Sequence, residues 1–126
     1  MIPGDLKYTK EHEWVKVDGG TATVGITDYA SGELGDIVFV ETPKIGAKVQ
    51  QMKPFGTIEA VKAISDLFSP VSGEVVGVND ELGNDAAVIN KDPYGNGWII
   101  KIKLSNPGEL DSLLSAADYE AMLKKL

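Results

Sequence analysis

Gly56-Thr57-Ile58-Glu59-Ala60-Val61-Lys62-Ala63-Ile64-Ser65-Asp66 reads as a hairpin, with arms at 56–60 and 63–65 that meet near Val61-Lys62. The turn contains no Gly, Asn, Asp or Pro, the residues that ordinarily supply an unusual φ or a side-chain cap. A type I turn remains open to it, because that turn needs no positive φ. A turn that forgoes the usual turn formers keeps its residues for another purpose. Lys62 stands at the expected tip, exposed and nucleophilic when deprotonated. Small Ala60 and Ala63 are expected to leave a modifying enzyme room to approach. Glu59 and Asp66 offer that enzyme, or a later partner, charge contacts. On residue chemistry alone, the ordinary reading of such a lysine is a solvated surface charge, and the same holds for Glu59 and Asp66.

Working outward, the chain reads as short strands punctuated by glycine. Residues 14–17 and 21–26 flank Asp18-Gly19-Gly20, a hairpin signal, since glycine takes the positive φ that a tight turn needs. Further strands are expected at 37–40 and 75–78. Residues 98–104 alternate, with Trp98, Ile100, Ile102 and Leu104 on one face and Lys101 and Lys103 on the other. Trp14 and Trp98 are both expected in the core. Gly35-Asp36-Ile37-Val38-Phe39-Val40 recurs as Gly73-Glu74-Val75-Val76-Gly77-Val78, which suggests two half-sheets around one core. Thr27-Asp28 caps a short helix through 34, ended by Gly35. Asn106-Pro107 and Ser115 open two C-terminal helices. In the second, Tyr119, Met122, Leu123 and Leu126 form a stripe expected to pack on the sheet.

The 126 residues carry 12 basic and 19 acidic side chains, a net charge of -7, and are 43% hydrophobic. That length suits one compact domain. An acidic balance argues against nucleic acid, whose phosphates call for a basic face. Without cysteine there is no disulfide framework, thiolate metal site or cysteine nucleophile, and with His12 as the single histidine most metal and His-based catalytic designs fall away. No apolar run approaches the roughly 20 residues of a membrane span. The first ten residues lack the apolar core of a secretory signal. A soluble, cytoplasmic protein with no metal and no membrane partner is expected.

The chain resembles the H-protein family of the glycine cleavage system. The matching stretches are Tyr8-Thr9-Lys10-Glu11-His12-Glu13-Trp14-Val15, Val24-Gly25-Ile26-Thr27-Asp28-Tyr29-Ala30, Leu34-Gly35-Asp36-Ile37-Val38-Phe39-Val40-Glu41, Ser69-Pro70-Val71-Ser72-Gly73-Glu74-Val75 and Pro93-Tyr94-Gly95-Asn96-Gly97-Trp98. Glu59-Ala60-Val61-Lys62-Ala63 stands where the family has Glu-Ser-Val-Lys-Ala, so Ala60 departs from the pattern. The resemblance implies a mainly β fold, a lipoyl-domain barrel-sandwich hybrid of two antiparallel sheets with a short internal helix and C-terminal helices. It implies a single lipoyl-type domain over 1–126, with an N-terminal hairpin at 13–26, a lipoyl hairpin at 56–66 and helices within 107–126. It implies that Lys62 carries lipoate in amide linkage, recognised through Glu59 and Asp66.

The implied protein is a monomeric carrier, not an enzyme. Its implied partners are the PLP-dependent glycine decarboxylase, the tetrahydrofolate-dependent aminomethyltransferase, dihydrolipoamide dehydrogenase and the lipoyl-attaching enzymes. The loaded arm is expected to fold back onto the protein, where Glu13, Asp28, Glu33 or Asp66 pairs with its amine; each also reads as a surface or capping charge. His12 is read as structural or surface, with a gate near neutral pH as the alternative. Four rivals differ. A biotinyl domain expects methionines where Val61 and Ala63 stand. A 2-oxo-acid dehydrogenase lipoyl domain has Asp-Lys-Ala at the loop. An H-like relay donates lipoyl groups to other enzymes. A Schiff-base enzyme needs a buried lysine or one beside a cation.

Overall fold

The computed structural model describes residues 2–126. In chain order the strands are β1 (Lys7–Tyr8), β2 (Glu13–Asp18), β3 (Thr21–Ile26), β4 (Ile37–Glu41), β5 (Lys48–Val49), β6 (Pro54–Ala60), β7 (Ile64–Phe68), β8 (Gly73–Val78) and β9 (Ile100–Leu104). The helices are α1 (Asp28–Leu34), α2 (Val88–Lys91) and α3 (Ala116–Leu123), with 3-10 turns at Asp80–Gly83 and Pro107–Ser112. One antiparallel sheet runs β1-β2-β3-β9-β8-β5 and the other β4-β6-β7. The fold is therefore mainly β with two antiparallel sheets and a few helices, as expected. Among the described residues no strand of one sheet pairs with a strand of the other, so the two lie as a sandwich rather than a closed barrel.

The two copies of the Gly-acid-β-branched repeat become β4 and β8, one in each sheet. Between the sheets, Val15, Val24, Val75, Ile100 and Ile102 face Ile37, Phe55, Ile58 and Leu67 in one apolar core. Period-two alternation drives this packing: in β9, Ile100 and Ile102 are buried while Lys101 and Lys103 are exposed. Each such aliphatic side chain contributes roughly 2 kcal/mol by leaving water.

A second, smaller cluster covers the outer face of the large sheet at one end. Leu6, Tyr8, Trp14 and Tyr119 form it, so β2 is buried on both faces there. Trp14 lies over Gly25, where a Cβ would fall 2.7 Å from the indole, and its Nε1–H donates to the Pro93 carbonyl at 2.9 Å. Glycine at 25 is thus a space requirement.

Three details differ from the sequence expectation. Trp98 precedes β9 and is only half-buried, with the Lys101 ammonium 4.9 Å from its ring centroid. The Asn79 amide occupies the Trp98 carbonyl at 2.7 Å and the Asn96 carbonyl at 2.8 Å, holding that segment in its turn. In the C-terminal stripe Tyr119 is buried and Met122 and Leu123 are half-buried, but Leu126 is exposed because α3 ends at Leu123. The first C-terminal helix is a 3-10 turn, capped by Asn106 Oδ1 accepting from the Gly108 N–H.

Candidate functional site: a lysine tip beside an acidic cleft

Strands β6 and β7 form the hairpin that carries Lys62. Glu59 pairs with Ile64, and the Ala60 N–H donates to the Ala63 carbonyl at 2.7 Å, which closes the tip around Val61-Lys62. Among the described non-glycine residues only His12 and Met52 have positive φ, so the tip needs no left-handed residue. The Val61 N–H donates to the Asp36 carbonyl at 2.9 Å, tying the tip to the junction between α1 and β4. That junction is held in turn by Asn90 of α2, which donates to the Gly35 carbonyl at 2.8 Å and accepts from the Ile37 N–H at 3.0 Å.

Lys62 is exposed, and its ammonium makes no hydrogen bond or ion pair among the described residues. Glu59, half-buried, lines the same hollow. Exposed apolar side chains surround it, with Val38, Phe39, Val61 and Ile64 each more than half accessible. The expectation for Ala60 is corrected: alternation along β6 turns its side chain inward, 4% exposed, so only Ala63 leaves the approach open.

Both arms of the same hairpin, through Ile58 of β6 and Ser65, Asp66 and Leu67 of β7, form one wall of a cleft of about 290 Å³. Its acids are Glu11, Glu13, Glu33 and Asp66, and Ile26, Ile58 and Leu67 supply apolar walls. The structure thus brings Glu13, Glu33 and Asp66 together, from β2, α1 and β7. It places Asp28 elsewhere, at the start of α1, where its carboxylate accepts from the Tyr94 hydroxyl at 2.9 Å.

Glu13 is 1% exposed. One carboxylate oxygen accepts from the Thr9 hydroxyl at 2.6 Å and the other from the Phe68 N–H at 3.3 Å. The Glu13 N–H returns a bond to the Thr9 hydroxyl oxygen at 3.1 Å. Burial nevertheless outweighs these bonds and pushes the carboxyl up to about 8, so the empty cleft holds it largely as the neutral acid near pH 7. His12 adopts φ 71°, which turns the chain between β1 and β2, and its ring lies 4.8 Å from that of Tyr29. Burial holds the imidazole below its ordinary value, against the pull of Glu11 and Glu33. Helix α1, the opposite wall, starts at Thr27, whose hydroxyl accepts from the Ala30 N–H, and stops at Gly35, φ 80°.

A family model described as glycine cleavage H-protein matches residues 6–126. The chain belongs to the glycine cleavage H-protein family. A glycine cleavage system H protein of Chlorobaculum parvum is 59% identical over 124 residues, covering 97% of each chain. One from Symbiobacterium thermophilum is 54% identical, covering 98% of this chain and 97% of its own. The crystal structure of a glycine cleavage system H protein from Mycobacterium marinum superposes with a TM-score of 0.90 at 40% identity, covering 98% of this chain and 99% of that one. The family's members are carrier subunits rather than catalysts. No helix among the described residues is long and apolar enough to cross a membrane.

Sequence reasoning missed several residues of this cleft and of the tip's anchoring. Glu11 and Tyr29 line the cleft, yet each sat unremarked inside a matched stretch. Ile26, Ile58 and Leu67 looked like ordinary apolar residues, and only the packing of β3, β6 and β7 beside α1 makes them cleft walls. Asn90 carried no signal, because its two partners lie more than fifty residues away.

Proposed function

We propose that this chain, as one lipoyl-type domain, is the cytoplasmic lipoyl-lysine carrier of a glycine cleavage system, with lipoate attached to Lys62. The residues present fit the group: a lysine without a side-chain partner stands on a tied-down tip, and an apolar-walled cleft with an acidic lining begins on the same hairpin. Attached to Lys62, the lipoyl group would supply a reducible disulfide, the chemistry needed to carry the aminomethyl group of glycine from the PLP-dependent decarboxylase to the tetrahydrofolate-dependent aminomethyltransferase and then electrons to dihydrolipoamide dehydrogenase. The chain itself supplies geometry. The hairpin fixes where the tether begins, which raises the effective concentration of its far end in a docked active site. Glu59 and the exposed side chains around Lys62 offer the first surface a lipoyl-attaching enzyme meets.

The cleft protects the cargo. An amine cation entering it meets Glu13 at the buried end, with Glu33 and Asp66 nearer solvent, while Ile26, Ile58 and Leu67 limit water. Pairing with the cation restores the ionised form of Glu13, with its proton released to solvent. The observation that carries the reading is the exposed Lys62, without a side-chain partner among the described residues, at the tip of a hairpin whose arms line that cleft. An enzyme working through a Lys62 Schiff base is disfavoured, because Lys62 lacks the burial or neighbouring cation that activates such a lysine.

The test is Lys62→Arg in a reconstituted glycine cleavage mixture, with intact mass and peptide mapping after exposure to a lipoyl-attaching enzyme. The parent chain gains one lipoyl group on Lys62, and the variant gains none and supports no glycine breakdown. Full activity of the variant, or the group mapping to another lysine, overturns the proposal.

A further inference from the structure

A chain of polar groups runs from the C-terminal helix to the cleft. Thr27 Oγ1 lies 2.8 Å from the Tyr119 hydroxyl, which lies 2.7 Å from His12 Nδ1. Thr27 and Tyr119 are both fully buried, and the Tyr119 ring is stacked on Tyr8 with centroids 4.7 Å apart. The Thr27 oxygen already accepts from the Ala30 N–H as the cap of α1.

Hydrogen bookkeeping leaves two arrangements. In one, Thr27 O–H donates to Tyr119, and Tyr119 O–H donates to an unprotonated His12 Nδ1; every hydroxyl proton has an acceptor. In the other, His12 Nδ1–H donates to Tyr119; the Thr27 and Tyr119 hydroxyls then share a single contact, so whichever donates, the other's proton has no acceptor among the described residues, a costly state for a fully buried hydroxyl. The first arrangement wins, and it leaves His12 neutral with its proton on Nε2.

We propose that Tyr119 is a positioning residue of the cleft, whose hydroxyl fixes His12 as the neutral Nε2–H tautomer so that the cleft presents no positive charge to an amine cargo. The proposal rests on the carrier reading above. His12 is faced by Glu11 and Glu13 from its own segment, by Tyr29 and Glu33 from α1, by Asp66 from β7 across the cleft, and by Tyr119 from α3. The carboxylates of Glu11 and Glu33 would by themselves favour its protonation. A protonated ring would compete with the cargo for those same carboxylates. Burial of the ring acts in the same direction as the hydroxyl chain.

The experiment has two arms. The first uses unmodified protein: with one histidine in the chain, its ring nitrogens are unambiguous in long-range 1H–15N spectra. The parent shows Nδ1 unprotonated at neutral pH and an imidazole midpoint below the ordinary value of about 6.5. In Tyr119→Phe, which keeps the stack on Tyr8, the midpoint rises and the tautomer preference weakens. Nδ1–H in the parent overturns the proposal, whether or not the variant folds. The second arm follows the loaded carrier in isolation at pH 6, where Tyr119→Phe shortens its lifetime several-fold and at higher pH does so less. A parent that protects its cargo alongside an equally protective Tyr119→Phe overturns the proposal alone. A parent that decays as fast as free lipoamide bearing the same cargo overturns the reading of the cleft as a shield and this inference with it, and leaves attachment at Lys62 standing.

Discussion

Glu13 is a carboxyl group held where water does not reach, between the Thr9 hydroxyl and the Phe68 amide. Its folded-state value stands near 8 against an ordinary 4.5. A carboxyl raised on folding stabilises the fold while both states are protonated, and that contribution is lost as pH climbs from the unfolded value through the folded one. The empty protein therefore loses stability between pH 4.5 and about 8 on account of this residue, by on the order of a few kcal/mol. Glu13→Gln keeps a neutral hydrogen-bonding group there. Thermal melts across that range show a smaller fall for the variant than for the parent, and parallel curves would mean that Glu13 is not the group responsible. The same variant carries no charge for the cargo, so its loaded form decays faster in isolation.

At the scale of elements, the tip is held by hydrogen bonds that begin far from it in sequence. Asn90 on α2 bridges Gly35 and Ile37, and Asp36 between them accepts from the Val61 amide beside Lys62. Removing the bridge leaves the Ile37 N–H and the Gly35 carbonyl short of a partner. Asn90→Ala costs about 1–3 kcal/mol of stability. It also loosens the tip: hydrogen exchange at the Val61 amide accelerates more than at the β9 amides, and equal acceleration everywhere would reduce Asn90 to a contributor to global stability. The hairpin was legible in advance, because β propensity on both sides of Val61-Lys62 is local information. Its anchoring was not, since Asn90 becomes a partner only when α2 packs beside the start of β4. Ala60 shows the same limit. Its small size was visible, but which way it faces depends on the register of β6 against β4 and β7.

For the whole molecule, the relevant quantity is a net charge of -7 spread around an apolar tip. Long-range fields of that sign speed encounter with basic surfaces and leave the short-range fit to the tip. If the partners' active-site mouths are basic, raising ionic strength past about 0.15 M, where the screening length is about 8 Å, slows transfer in a reconstituted system at subsaturating carrier. Transfer within an already docked pair stays unchanged. A salt-independent encounter rate would assign recognition to the apolar residues around Lys62 alone.

By itself, the sequence determined most of the longer strands, α1 and α3, the caps at Thr27, Gly35 and Ser115, the location of Lys62 and the family, but not β1, β5 or α2. Each of these depends on neighbouring residues or on words of sequence that survive without coordinates. Only the tertiary structure decided that Glu13, Glu33 and Asp66 meet while Asp28 stands apart, that Trp98 is half-buried beside the smaller cluster, and that the two sheets stay open rather than closing. It also decided that Tyr119, one apolar position in a helical stripe, reaches His12 across 107 positions of chain. Contacts of that kind are set by how β2, α1, β7 and α3 pack, and packing geometry is not written in any local run of residues.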